Sequence, residues 1–364
     1  MRSTLAAAPC AAVTGIKRDR RGHTGMTIGS ETEPRAGASS PAKTPNPLLR
    51  YDMSHWIARL LLLLLLPAAA AQAATQPPLL TPDELAARLD GRPLRVIDIR
   101  APDTSLAYVP GAVAAPYPDW RGPADDPGRL PDLASLTALL QRLGIDADTP
   151  VAVVYEGADA TDFGAAARVY WTLKTAGIDR VSILNGGMKA WHAAGLPSAA
   201  EPATPPASRY EPRIDGRWLA TRAQVAEATG NPSWRLLDAR PPAFFLGERK
   251  HAAAPLPGTL VGARNVEHTV WFVPGTAELA APEAIRATAQ RLGVDAEAPT
   301  VSFCNTGHWA ATQWFVLSEV LGGHEVRLYP ESMVDWSRTG LAMANVPGRL
   351  EQFRLQLRAA FGGR

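Results

Sequence analysis

Cysteine is nearly missing from this chain: among 364 residues only Cys10 and Cys304 occur. Two cysteines exclude a disulfide scaffold and an all-cysteine metal cage. Charge is also modest, at 20% Asp, Glu, Lys and Arg with a formal net charge of +2. With 46% hydrophobic residues, that balance fits a globular chain and excludes wholesale disorder. Pro and Gly, at 33 and 30, fall well short of a low-complexity composition, and there is no collagen period. A long hydrophobic run is missing too. The stretch Leu60–Leu66, Pro67 and Ala68–Ala71 covers about a dozen apolar residues, against about 20 for a helix that crosses a bilayer. The length suits about two domains.

Residues 1–52 are rich in Arg, Gly, Ser, Thr and Pro and carry no apolar period. Met53-Ser-His-Trp-Ile-Ala-Arg59 then leads into the apolar stretch. A short positive segment, an apolar segment and a small-x-small site make a secretory signal peptide. Residues 53–73 are expected to form it, with cleavage after Ala71-Gln72-Ala73 and Ala74 as the new N-terminus. A short membrane anchor is the alternative. Translation is expected to start at Met53, with residues 1–52 a non-native or disordered extension. The mature protein would then be periplasmic, with no stable membrane insertion. It would keep 28 of the 37 basic and 31 of the 35 acidic residues, a net charge of −3, and Cys304 alone. A nucleic-acid partner thereby loses its only compositional support.

The remainder repeats itself. Leu94-Arg-Val-Ile-Asp-Ile-Arg100 echoes Trp234-Arg-Leu-Leu-Asp-Ala-Arg240, and Val109-Pro-Gly-Ala112 echoes Leu260-Val-Gly-Ala263. Gln141-Arg-Leu-Gly-Ile-Asp-Ala147 echoes Gln290-Arg-Leu-Gly-Val-Asp-Ala296. Finally, Arg180–Trp191 echoes Glu325–Trp336, each with a Met and a Trp at matching places. The order is kept, so one unit is duplicated rather than arrayed as a solenoid. The units are expected at 79–200 and 213–345, joined by a Pro-rich linker at 201–212. A tail follows at 346–364, with Leu350, Phe353, Leu357 and Phe361 at helical spacing and expected to pack on the domain. Within each unit, short β-branched runs such as Arg95–Ile99 and Pro150–Tyr155 alternate with the helical patterns Leu133–Leu143 and Phe163–Ala176. That alternation predicts an α/β fold, each unit a parallel sheet with helices on both faces. Sites on such sheets sit beyond the C-terminal strand ends.

The strand pattern Thr300-Val-Ser-Phe303 ends in such a place. Cys304-Asn-Thr-Gly-His-Trp309 follows, and a helical pattern begins at Ala310. Free backbone N–H groups and a positive helix end stabilise an anion there, which lowers a thiol pKa and activates the sulfur. Gly307 lets the loop turn its amides inward. A cysteine phosphatase would need Arg six residues after the Cys to hold phosphate, and that position is Ala310. The other histidines, His192, His251, His268 and His324, have no metal-ligand spacing.

Asp-x-Arg after a strand, Pro-Gly-Ala, the Cys loop and Gly-Gly-Met-x-Ala-Trp resemble, in order and twice, the rhodanese superfamily. Over about residues 80–345 the chain is similar to its tandem two-domain sulfurtransferases, which act on thiosulfate or 3-mercaptopyruvate. The resemblance implies that the Cys304 thiolate takes a sulfane sulfur, forms a persulfide and passes the sulfur to cyanide or a thiol, with a protein acceptor a further option. Amides from Asn305 through Thr306, Gly307, His308 and Trp309 to Ala310 would stabilise the sulfur anion. It implies no cofactor and no metal. The alternative is a non-catalytic persulfide carrier.

Tyr155 aligns with Cys304, so the first copy resembles the family's inactive domain. Where the family carries an anion-binding arginine, this chain has Phe244. Arg249 and Lys250 lie just beyond and are expected to bind the donor. Thr306 and His308 are candidates to hydrogen-bond the donor, His308 alternatively serving the loop, and Trp309 to wall the pocket. Arg240 is expected to contact substrate or to brace loops through Asp238. Glu331-Ser332 is a further cleft candidate. Trp191, Trp336, Met188 and Met333 are read as core.

Overall fold

The computed structural model describes residues 76–348 apart from Arg92, residues 103–106 and Asp295, together with Leu350, Glu351 and Arg354. The first copy runs β1 (Leu79–Leu80), α1 (Pro82–Leu89), β2 (Arg95–Asp98), β3 (Val113–Ala114), a 3-10 turn at Tyr117–Trp120, α2 (Leu133–Arg142), β4 (Val151–Val154), α3 (Ala160–Thr175), β5 (Val181–Leu184) and α4 (Gly187–Ala193). The second runs α5 (Arg222–Ala228), β6 (Arg235–Asp238), α6 (Pro242–Phe245), β7 (Thr259–Leu260), β8 (Arg264–Asn265), a 3-10 turn at His268–Trp271, α7 (Pro282–Leu292), β9 (Thr300–Phe303), α8 (Trp309–Phe315), a π-helical turn at Val316–Val320, β10 (Val326–Leu328), α9 (Ser332–Trp336) and β11 (Met343–Ala344).

Each copy is built on a parallel sheet, the first in the order β1-β5-β4-β2-β3 and the second β10-β9-β6-β8. A separate antiparallel pair joins β11 to β7. The central strands β4, Val-Ala-Val-Val, and β9, Thr-Val-Ser-Phe, are buried at every residue. Continuous burial is what helices on both faces of a parallel sheet demand. These two strands occupy equivalent places and end at Tyr155 and Cys304. The helix after each is the next element, α3 and α8. Asp159 starts α3 by accepting the Asp162 N–H, an N-cap that satisfies an otherwise orphaned donor.

The two copies share one core. Phe163 of α3 meets Phe315 of α8 edge-on at 5.8 Å, and Tyr170 meets the same ring at 4.9 Å. Small residues Ala165, Ala166 and Ala167 keep α3 slim where it is buried. The linker is extended and held against the first copy: the Ala203 N–H donates to the Ala112 carbonyl, and the Ser208 hydroxyl to that of Ile145. Among the described residues no helix is long and apolar enough to cross a membrane. The expected extension at 1–52 and signal peptide at 53–73 lie outside the described residues. So do Phe353, Leu357 and Phe361 of the tail, while Leu350 is helical and 66% exposed.

Candidate active site

Strand β9 delivers Cys304 to its C-terminal end, where the residue is 1% exposed. The chain is clamped there from α9. The Cys304 N–H donates to the Ser332 hydroxyl at 3.0 Å, and that hydroxyl donates to the Tyr329 carbonyl at 2.7 Å. Met333 and Val334 N–H groups cap the Cys304 and Asn305 carbonyls. Ser332 holds a φ of 52°, a strained left-handed value for a residue with a side chain. Sequence reasoning raised Ser332 only as a cleft neighbour; its backbone conformation leaves no sequence signal.

The loop then turns over the sulfur. Gly307 has a φ of 68°, and a Cβ there would come 2.5 Å from the Pro330 carbonyl oxygen, so both conformation and space require glycine. Among the described residues, the N–H groups of Asn305, Thr306, Gly307 and His308 donate to no protein acceptor. Four consecutive free amides are a ready anion cradle.

His308 is spent on a chain of hydrogen bonds. Its Nε2 lies 2.7 Å from the Thr161 carbonyl, which can only accept, so Nε2 carries the proton. Burial, then the nearby Arg121 charge, pushes this imidazole down to about 3. The ring is therefore neutral, and its Nδ1 accepts from the Tyr117 hydroxyl at 2.8 Å. That hydroxyl in turn accepts from Arg121 Nη1 at 2.8 Å, and Arg121 Nη2 donates to the Thr306 carbonyl at 2.9 Å. Tyr117, Arg121 and Thr161 all belong to the first copy. Sequence reading missed them because no local motif marks a residue whose partner is 147 to 191 positions away.

The remaining expected residues divide by position. Trp309 stacks on His268 at 5.0 Å and meets Phe244 edge-on at 6.0 Å. Burial pushes the His268 imidazole down to about 4. Ala310 is buried at the start of α8. Arg240 is 2% exposed and grips Asp238 through Nε and Nη2 at 2.8 and 2.6 Å, with Nη2 also on the Gly258 carbonyl. Its Nη1 reaches the loop at Asn305 Oδ1, 3.3 Å away. Arg100 grips Asp98 in the same way in the first copy, which has Tyr155 where the second has Cys304. The geometry is therefore that of a loop brace rather than the substrate contact also expected of Arg240. Arg249 is exposed, with its guanidinium 5.3 Å from the Phe244 ring centre. Lys250 is exposed as well and donates to the Ala254 carbonyl at 2.7 Å.

Tyr155 stands at the Cys304 place in the first copy. Its hydroxyl donates across to the Ala277 carbonyl of the second copy at 2.7 Å, and burial holds the phenol well above its ordinary range. A cavity of about 570 Å³ opens on this side, lined by Tyr117, Tyr155, Glu156, Asp159, Asp162 and His308 among others. It reaches the loop that begins at Cys304 through His308 and not through Cys304 itself.

The model of the rhodanese-like domain matches twice, at residues 81–194 and 221–339. The chain is 30% identical over 258 residues to a thiosulfate sulfurtransferase of Bos taurus, a match covering 68% of this chain and 86% of that protein. It is 31% identical over 276 residues to the sulfur carrier protein TtuD of Thermus thermophilus, covering 71% of this chain and 93% of that one. It shares its fold with the crystal structure of SseA from Escherichia coli, described as a 3-mercaptopyruvate sulfotransferase. That match has a TM-score of 0.61 and 24% identity, and covers 71% of this chain and 99% of that one.

Proposed function

Because this chain belongs to the rhodanese family and is a sulfurtransferase of that type, we propose that Cys304 is its nucleophile and carries sulfur as a persulfide. The Cys304 thiolate attacks the outer sulfur of thiosulfate. A new S–S bond forms, the old one breaks, and its electron pair leaves with sulfite. Cyanide or a thiolate then attacks the outer persulfide sulfur, and the Cys304 thiolate departs. The charges balance in each step without a redox cofactor.

The observation that carries this reading is the free amides of residues 305–308 on the loop beginning at Cys304, with Gly307 in the turn that allows it. Preorganised donors aimed at an anion stabilise thiolate and persulfide alike. The donor's anionic end would be met by Arg121 from the first copy and by Arg249 and Lys250 on the rim, replacing the charge absent at Phe244. Thr306 lies within the same loop. 3-Mercaptopyruvate is the alternative donor. Export to the periplasm remains part of the proposal, through the signal segment at 53–73. A protein acceptor is the second reading, favoured by the likeness to a sulfur carrier protein.

Cys304→Ser should abolish sulfur transfer from thiosulfate to cyanide while the circular dichroism spectrum stays native. Turnover retained in that variant would refute the assignment. Intact mass after thiosulfate should show one added sulfur atom on the wild type and none on the variant. Stoichiometric loading without turnover would favour the carrier.

A further inference from the structure

Arg168 is the most deeply enclosed charge near the loop. It sits on α3 of the copy without a nucleophile and is 0% exposed. Its Nη2 donates to the Gly128 carbonyl at 2.7 Å, and its Nη1 lies 3.5 Å from the Thr306 carbonyl. The buried Nε has no hydrogen-bond partner. Among the described residues no carboxylate stands within ion-pair distance of it. Its guanidinium also lies over the Trp171 ring, 4.9 Å from the ring centre. A buried guanidinium held by carbonyl oxygens and a ring face is still costly, and chains that keep one usually give it an anion. The guanidinium lies against the backbone that turns over the sulfur. A Cβ placed on Gly307 would come 2.6 Å from Nη1.

We infer that Arg168, reaching across from the non-catalytic copy, is the built-in counter-charge for the anionic sulfur on Cys304. It is a positioning residue: it touches the loop, and its charge acts through the buried space between loop and α3. This rests on the reading of Cys304 as nucleophile.

The surroundings favour that pairing over others. Tyr117 and His308 are uncharged at neutral pH, since burial pushes the phenol up and the imidazole down. Arg121 is a second cation, half-buried and occupied by Tyr117 and Thr306. Glu331 is the carboxyl that acts on Arg168; burial raises it above the usual carboxylate range, and the Arg168 charge opposes that rise. Burial, then the Arg121 charge, also lowers Arg168 itself, to about 9, so it stays cationic at neutral pH; Tyr117, Glu331 and, least of these, Cys304 oppose that lowering. A guanidinium this close to the loop that begins at Cys304 favours an anion there over a neutral group.

The test is the thiolate absorbance near 240 nm followed against pH, with Cys304→Ser as the blank, so that sulfur transfer itself is not needed. Arg168→Met should move the titration up by about one pH unit or more, and Arg168→Lys should keep it near the wild type. In the assay, kcat should fall with the Met variant while KM for thiosulfate changes little, because Arg168 does not reach solvent. A Met titration that superposes on the wild type would overturn the proposal. So would a Lys variant displaced as far as the Met variant, which would mean packing rather than charge. If the Met variant does not fold, native and urea-unfolded wild type are compared. A native titration no lower than the unfolded one also overturns it.

Discussion

Ser332 links backbone strain to a chemical position. Its hydroxyl accepts a hydrogen bond from the Cys304 N–H and donates one to the Tyr329 carbonyl, at a left-handed φ of 52°. Removing it leaves a buried N–H without a partner, which costs about 1–3 kcal/mol. It also frees the first residue of the loop. Ser332→Ala should therefore lower the unfolding free energy by about that amount. It should reduce kcat by roughly ten- to a hundredfold, as small displacements of a reacting group do. Urea melts and steady-state kinetics check both. A full-rate variant would mean that the clamp does not position the sulfur. Residue types alone pointed to Cys304 and Gly307, because a lone cysteine at a strand end and a glycine in a tight loop are local patterns. They did not point to Arg121 or Arg168, whose meaning lies in what folds against them.

At the scale of elements, the two helices that follow the central strands meet, and α3 comes close to the Cys304 loop at Gly164. Gly164 sits inside α3, where glycine weakens a helix by about 1 kcal/mol relative to alanine. The reason is steric: a Cβ at 164 would come 2.9 Å from His308 Cδ2 and Nε2. Gly164→Ala should leave the melting temperature nearly unchanged, as helix propensity offsets crowding. It should still lower kcat, because the shifted His308 ring loses Thr161 or Tyr117. Unchanged kinetics would show that the loop tolerates the displacement. The element order itself was legible from the alternation of short buried strands and longer helical patterns. Boundaries moved by a few residues: α3 begins at Ala160 rather than Phe163, because the Asp159 cap extends it by a turn.

For the molecule as a whole, the buried imidazoles tie stability to pH. His268 is held at about 4 by burial and His308 at about 3, each below its unfolded value near 6.5. Between those limits the unfolded chain binds protons that the folded chain refuses, so stability is full above about pH 6.5 and lost as pH falls. Buried carboxyls at Asp162 and Glu331 are raised and act in the opposite sense, so a difference measurement is needed. His268→Phe keeps an aromatic ring against Trp309 and removes the titration. Between pH 6.5 and 4 its stability should fall less steeply than the wild type's, by roughly one bound proton. Parallel slopes in urea melts would contradict the assignment.

The duplication, the α/β class, the strand-end cysteine and the absence of a cysteine from the first copy are all legible in the chain alone. All four follow from local pattern: period, turn residues and residue type repeat within a few positions of one another. Which residues surround that cysteine and its loop is a matter of packing. Ser332, Tyr117, Arg121 and Arg168 arrive from α9 and from the first copy, and Arg240 is drawn into a brace. Their roles are set by packing two similar units into one core, and contact between residues far apart in the chain leaves no mark in either segment alone.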